Sequence, residues 1–199
     1  MERGIKAGLL TGGVFTMRHF VPDDRELAHF YRMWYGVDSP QYKSIKRHLV
    51  ATVQSHNLIT TEGVQRIMDV MFNGTTQIAT WYVAIFNTNT TILASHTYDV
   101  PGFTEDTDYD EATRPAYVEA ACTAGGVTTN AASPAVFTIA TGGQTIYGAA
   151  LVSVNTKGDH TGGANNVLFS ACKFGTARAV LADDVLNVTY QLTEADDGV

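Results

Sequence analysis

The stretch Ile78-Ala79-Thr80-Trp81-Tyr82-Val83-Ala84-Ile85-Phe86 is the segment on which the fold class turns. It is β-branched and aromatic, with no charge, Gly or Pro, and it reads as a long buried strand closed by the turn Asn87-Thr88-Asn89-Thr90-Thr91. Downstream, Ala135–Ala140, Thr145–Val154, Asn166–Phe174 and Val185–Leu192 carry the same residue types. Arg114-Pro115-Ala116-Tyr117-Val118 follows an acidic loop, Glu105–Glu111. Gly142-Gly143, Lys157-Gly158, Gly162-Gly163 and Ala182-Asp183-Asp184 are ordinary turn signals between these segments. Short strands divided by Gly and Asp turns specify a mainly β chain: an antiparallel β-sandwich, Ig-like or jelly-roll-like, over residues 77–199.

Upstream of residue 77 the signals are mixed. In Gly13–Phe20, Phe15, Met17 and His19 alternate with Val14, Thr16, Arg18 and Phe20, which predicts a strand. Pro22-Asp23-Asp24 then opens a helix whose apolar face is Leu27, Phe30, Tyr31 and Trp34, and Gly36 stops it. From Ser39 to Asn57 the pattern suits a helix that gives way to a strand near His48. Thr60-Thr61-Glu62 caps another helix, with Val64, Ile67, Met68 and Met71 at i, i+3, i+4, i+7 spacing and Asn73-Gly74 at its end. Residues 1–76 therefore read as an N-terminal arm of strand and helices, and residues 77–199 as the sandwich.

Composition narrows the function classes. With 199 residues the chain can bury one real core. Residues 1–76 hold nine Lys and Arg against seven Asp and Glu, a charge of +2; residues 77–199 hold four against thirteen, a charge of −9. An acidic chain of this kind lacks the clustered cations needed to displace counterions from a phosphate backbone, so no nucleic-acid partner is expected. No stretch approaches the ~20 apolar residues of a membrane span, and the apolar run within Met1–Gly13 is short for a signal peptide. Synthesis in a cytoplasm, without secretion, is the expectation. Cys122 and Cys172 sit among small or apolar neighbours and read as buried free thiols better than as a disulfide.

Catalytic patterns are sparse. His19, His29, His48, His56, His96 and His160 are scattered without metal-ligand spacing, no G-x-S-x-G occurs, and Thr11-Gly12-Gly13 and Thr141-Gly142-Gly143 lack the Lys of a phosphate-binding loop. Asp106, Asp108 and Asp110 alternate and, with Glu105 and Glu111, offer oxygens to Ca²⁺. They lack the glycine and terminal Glu of a calcium loop, so a solvated acidic loop is expected. Two carboxylates for glycoside cleavage need only be near in space, which leaves that chemistry open. Tyr98, Phe103, Tyr109 and Tyr117 are candidates for a sugar-stacking platform, with core packing or subunit contact as the commoner fate. No catalytic residue, cofactor or metal is assigned.

The order of motifs resembles a group of small virion-associated proteins of tailed bacteriophages. The resemblance runs through His56–Gly63, Met68–Phe72, Thr76–Phe86, Asp108–Pro115, Thr145–Ala149, Thr156–Gly158, Phe174–Arg178 and Asp184–Tyr190. Relative to that pattern, this chain inserts Asp23 to about Lys46. The resemblance implies a non-enzymatic structural protein located in the virion. Together with the aromatic helix and the charge polarity, it favours a capsid decoration or cement protein that binds the major capsid protein and neighbouring copies as a homo-oligomer. A tail adaptor or fibre-like receptor-binding component is the alternative, and a carbohydrate-binding module or glycan-active enzyme is the alternative of a different class. The contact residues expected are Leu27, Phe30, Tyr31, Trp34 and Tyr42 from the arm, and Asp106, Asp108, Tyr109 and Asp110 from the acidic loop.

Overall fold

The computed structural model describes residues 9–123 and 125–196. In chain order the elements are β1 (Leu9–Pro22), α1 (Arg25–Tyr35), α2 (Pro40–Lys43), β2 (Arg47–His56), β3 (Leu58–Ile59), α3 (Thr61–Phe72), β4 (Trp81–Phe86), β5 (Ala116–Tyr117), β6 (Val127–Thr129), β7 (Ala135–Thr138), β8 (Gly142–Val152), β9 (Leu168–Leu181) and β10 (Val185–Asp196). The strands form two antiparallel sheets. The first has the order β2-β1-β10-β6, with β7 pairing the other half of β10; the second has the order β3-β9-β8-β4-β5. This is the antiparallel β-sandwich that the strand pattern predicts.

The division at residue 76 does not survive strand pairing. β1 lies between β2 and β10, in register from Leu9↔Asp196 to Phe20↔Val185, so the N-terminal segment supplies an interior strand of the first sheet. Its alternation explains why. Phe15, Met17 and His19 are buried, while Arg18 on the opposite side is exposed, so β1 has an apolar face that only the second sheet can cover. Phe15 stacks on Tyr190 of β10 at 4.4 Å, and both belong to one core with Val83 and Ile85 of β4 and Ile146, Ala149 and Leu151 of β8.

β4 buries its other face as well. Ala84 and Phe86 join Ala150, Val152, Leu168 and Ala171 in a second apolar cluster, roofed by Tyr98 and Phe103. Both roof residues come from the excursion between β4 and β5, residues 87–115, where sequence reading expects only a turn at 87–91 followed by the acidic loop. Phe86 stacks on Phe103 at 4.5 Å. Gly148 leaves room for this: a Cβ there would lie 2.1 Å from the Phe86 ring and from the Cys172 carbonyl oxygen.

Two of the helical expectations, those for 39–57 and for α3, meet a shorter or differently used element. The Ser39–Asn57 segment contains only the four-residue α2 before β2 begins at Arg47. α1 is capped by Asp24, whose side chain accepts from Leu27 N, and closed by Gly36 at φ 78°. α3 is capped by Thr60 and rests on β9, but Val64, Met68, Met71 and Phe72 along it are exposed, with Ile67 turned toward the core. No helix among the described residues is long and apolar enough to cross a membrane. Of the N-terminal run Met1–Gly13, residues 1–8 lie outside the described residues.

The seat of α3 yields a test. A Cβ on Gly63 would lie 2.3 Å from the Phe169 backbone oxygen. Alanine is the better helix former by about 1 kcal/mol, so propensity alone says Gly63→Ala stabilises. Close packing predicts the reverse, a net loss of about 1–3 kcal/mol, read as a lower denaturation midpoint in urea.

Candidate functional site

The acidic loop is an internal clamp, which overturns its reading as a solvated contact surface. Glu105 is buried and forms a two-pronged ion pair with buried Arg114, Nε to Oε1 at 2.8 Å and Nη2 to Oε2 at 2.5 Å. Arg114 also donates to the Tyr98 hydroxyl and to the Val154 and Asp159 carbonyls. It therefore ties together the excursion 87–115 and the loop after β8. Burial by itself would raise the Glu105 carboxyl, but the Arg114 guanidinium, His160 and the Gly158 N–H together hold it below the usual carboxylate range.

Every other acid of the loop has an internal task. Asp108 accepts from Thr141 N, Gly142 N and the Gln144 amide, which outweighs its partial burial and lowers its pKa. Asp110 pairs with Arg32 at 2.6 Å, and Glu111 accepts from Thr138 N. Asp106 is 1% exposed and accepts from Asp108 N; burial raises its pKa. Tyr109 is buried under the Lys157 ammonium. Asp106 and Tyr109 are thus removed from the expected contact residues, and Asp108 and Asp110 are spent on internal partners. Among the described residues no three His, Cys, Asp or Glu side chains are grouped to hold a metal ion. Tyr98, Phe103, Tyr109 and Tyr117 are all buried, so they form no sugar-stacking platform.

A second ionic cluster fixes the helical insertion. The β9–β10 turn carries Asp183, at φ 68°, and Asp184, both buried. Asp184 takes His19 Nε2 at 2.8 Å and Arg25 Nη2 at 2.6 Å; burial opposes ionisation, but these partners and the Leu181 N–H bring its pKa below normal. Asp183 accepts from the Tyr42 hydroxyl at 2.9 Å. Tyr42 is buried there, which corrects its reading as a contact residue. Arg32 donates to the Ile139 and Ala140 carbonyls and to Asp110. Arg25 and Arg32 of the basic front thus pair with Asp184 and Asp110 of the acidic back inside one subunit.

This docking dictates what α1 shows to solvent. Arg25, Ala28 and Arg32 share one side of the helix and face the sandwich, so the aromatic side must face away. Leu27, Phe30 and Trp34 are 39%, 47% and 74% exposed, while Tyr31 is half-buried. Met33 and Tyr35, which sequence reading did not single out, are also exposed. Their signal was available, as large side chains on a helix already carrying more aromatics than one face can hide.

At the other end of the sandwich lies a cavity of about 390 Å³ with mainly apolar walls. α3 contributes Ile67, Val70 and Met71, and Ile78, Trp81, Phe169 and Leu192 complete much of the lining. Sequence reading placed Ile78 and Trp81 inside a buried strand and did not foresee it, because the opening arises only where α3 meets the two sheets. Cys172 is buried, its thiol pushed up to about 12 by burial, whereas Cys122 is exposed; both are free.

The Arg114–Glu105 pair carries two expectations. Arg114→Ala strands a buried carboxylate and should cost about 3–5 kcal/mol in chemical denaturation. Glu105 is held below its ordinary value, so its contribution is complete above about pH 5 and is lost as pH falls through the ordinary and then the folded value. Glu105→Gln should melt lower than wild type at neutral pH, with the gap closing in acid; a pH-independent gap would refute the linkage. No family model matches the chain, and a search of curated proteins returns no match.

Proposed function

We propose that this chain is a non-enzymatic structural subunit of a tailed-bacteriophage virion, acting as a capsid decoration or cement protein. The observation that carries the reading is the outward aromatic face of α1. Exposed aromatics, each worth 150–250 Å² when buried, are unusual on a monomer and common at the centre of subunit contacts. The arginine clamp beneath α1 supports the same reading, because it presents these side chains on a rigid element, and rigid anchors lose little entropy on binding. The motif order that resembles virion proteins supplies the biological setting. In this reading the sandwich is the rigid body, and the helical insertion makes the contact with the shell or with neighbouring copies.

Trp34→Ala and Phe30→Ala should each weaken incorporation into particles by about 2 kcal/mol or more while leaving the melting temperature of the isolated subunit nearly unchanged. Quantifying the subunit on purified particles and reconstructing its position checks this. Absence from purified virions would sink the proposal, density on the tail would move the subunit from head to tail, and equal loss of stability and incorporation would return the two aromatics to the core.

A further inference from the structure

α1 and the apolar cavity sit at opposite ends of the same sandwich. Arg25 of α1 holds the turn just before Val185, whereas Leu192 of the same strand β10 lines the cavity. Seven residues of strand separate the two positions, about 24 Å at ~3.4 Å per residue. One end carries an apolar knob and the other a mainly apolar bowl, with Arg66, Gln77, Glu119 and Thr128 also in its lining.

The two surfaces match in size and chemistry. On the usual 150–250 Å² per aromatic, the exposed parts of Phe30, Trp34 and Tyr35, with Met33 and Leu27, amount to on the order of 500 Å². With a like area on the bowl side, from its walls and the exposed side of α3, the contact would bury about 1,000 Å² in total, the lower bound for a specific interface. Trp34 is the most exposed aromatic of α1, and a cavity of about 390 Å³ has room for one indole between Ile78, Trp81 and Leu192. A symmetric contact between two α1 helices would bury the knob but leave the bowl open. Inserting the knob of one copy into the bowl of the next covers both with a single contact.

We infer that the occupant of this cavity is Trp34 of a second copy of this chain, in a head-to-tail contact between subunits. The contact is heterologous, so repetition gives a ring if the rotation closes and a filament if it does not. The inference rests on α1 being a contact face, as in the proposed function, but needs no capsid or tail.

The test uses the full chain and two kinds of variant. Trp34→Ala removes the knob; Met71→Arg, at an exposed rim position, blocks the bowl, and Ile78→Arg is a second blocker should the first perturb folding, with melting curves as the check. Analytical ultracentrifugation across a concentration series should show oligomers for wild type and association at least roughly 30-fold weaker for each variant alone. Mixing Trp34→Ala with Met71→Arg should restore a one-to-one dimer that grows no further, because one free knob and one free bowl remain between them. If the bowl-blocked variants associate like wild type, or the mixture stays monomeric, the inference is overturned. A wild type that is monomeric throughout, with Trp34→Ala still failing to incorporate into particles, also overturns it and leaves the virion proposal standing. Restored dimers from a protein absent from particles would do the opposite.

Discussion

The second sheet must be covered on both faces, and most of the remaining architecture answers that requirement. Val83 and Ile85 of β4 point toward the first sheet, and Ala84 and Phe86 point the other way. A strand apolar on both sides is stable only between two layers. The first sheet is one layer. The other is the excursion 87–115, which has almost no regular structure of its own and so cannot be held by a backbone ladder. The Arg114–Glu105 pair takes over that task, bonding carbonyls and a hydroxyl across the gap. A buried pair is expensive to desolvate, and breaking it costs more than replacing it by apolar groups would. Its value here is geometric, since it fixes a loop whose Tyr98 and Phe103 roof the core.

The helical insertion is governed by the same economy of charge. α1 docks through Arg25 and Arg32 onto the acids Asp184 and Asp110, and Tyr42 secures the turn at Asp183. A helix docked by apolar packing would hide its aromatics. One docked by guanidinium groups leaves them outside, where they cost solubility unless another surface covers them. The acidic loop and the aromatic helix, which look like two separate contact surfaces in the sequence, are thus opposite halves of one internal arrangement that exposes only the aromatics.

Several elements were legible beforehand for simple reasons. Alternation in Gly13–Phe20 located β1 and its inward residues. Pro22-Asp23-Asp24 marked the approach to α1, although Pro22 ends β1 and the helix begins only after the Asp24 cap; the Thr60 cap marked α3, and the Gly and Asp turns separated β8, β9 and β10. Local pattern misleads where a partner distant along the chain decides the outcome. Tyr42 reads as an aromatic of an exposed arm until Asp183, 141 residues later, claims its hydroxyl. Asp106 and Tyr109 read as solvated because their loop is polar, yet that loop lies over an apolar face. The amphipathic pattern of α3 implied a buried stripe, whereas Gly63, Ile67 and Val70 turn inward, Glu62 accepts from Tyr98 N and Leu168 N, and Met68 and Met71 are exposed.

What the sequence by itself determined was local: the strand period, the caps, the turns and hence the mainly β class, all properties of residues a few positions apart. Tertiary structure alone decided that Ile78–Phe86, the stretch richest in strand signal, begins at a cavity wall with Ile78 and Trp81 and ends buried on both faces, Ile85 on one and Phe86 on the other. It also decided that the acids are internal and the aromatics external. The physical reason is that burial of a charge or a ring depends on which distant partner arrives to satisfy or cover it, and that partner is chosen by the pairing of β1 with β10 and by the path of residues 87–115.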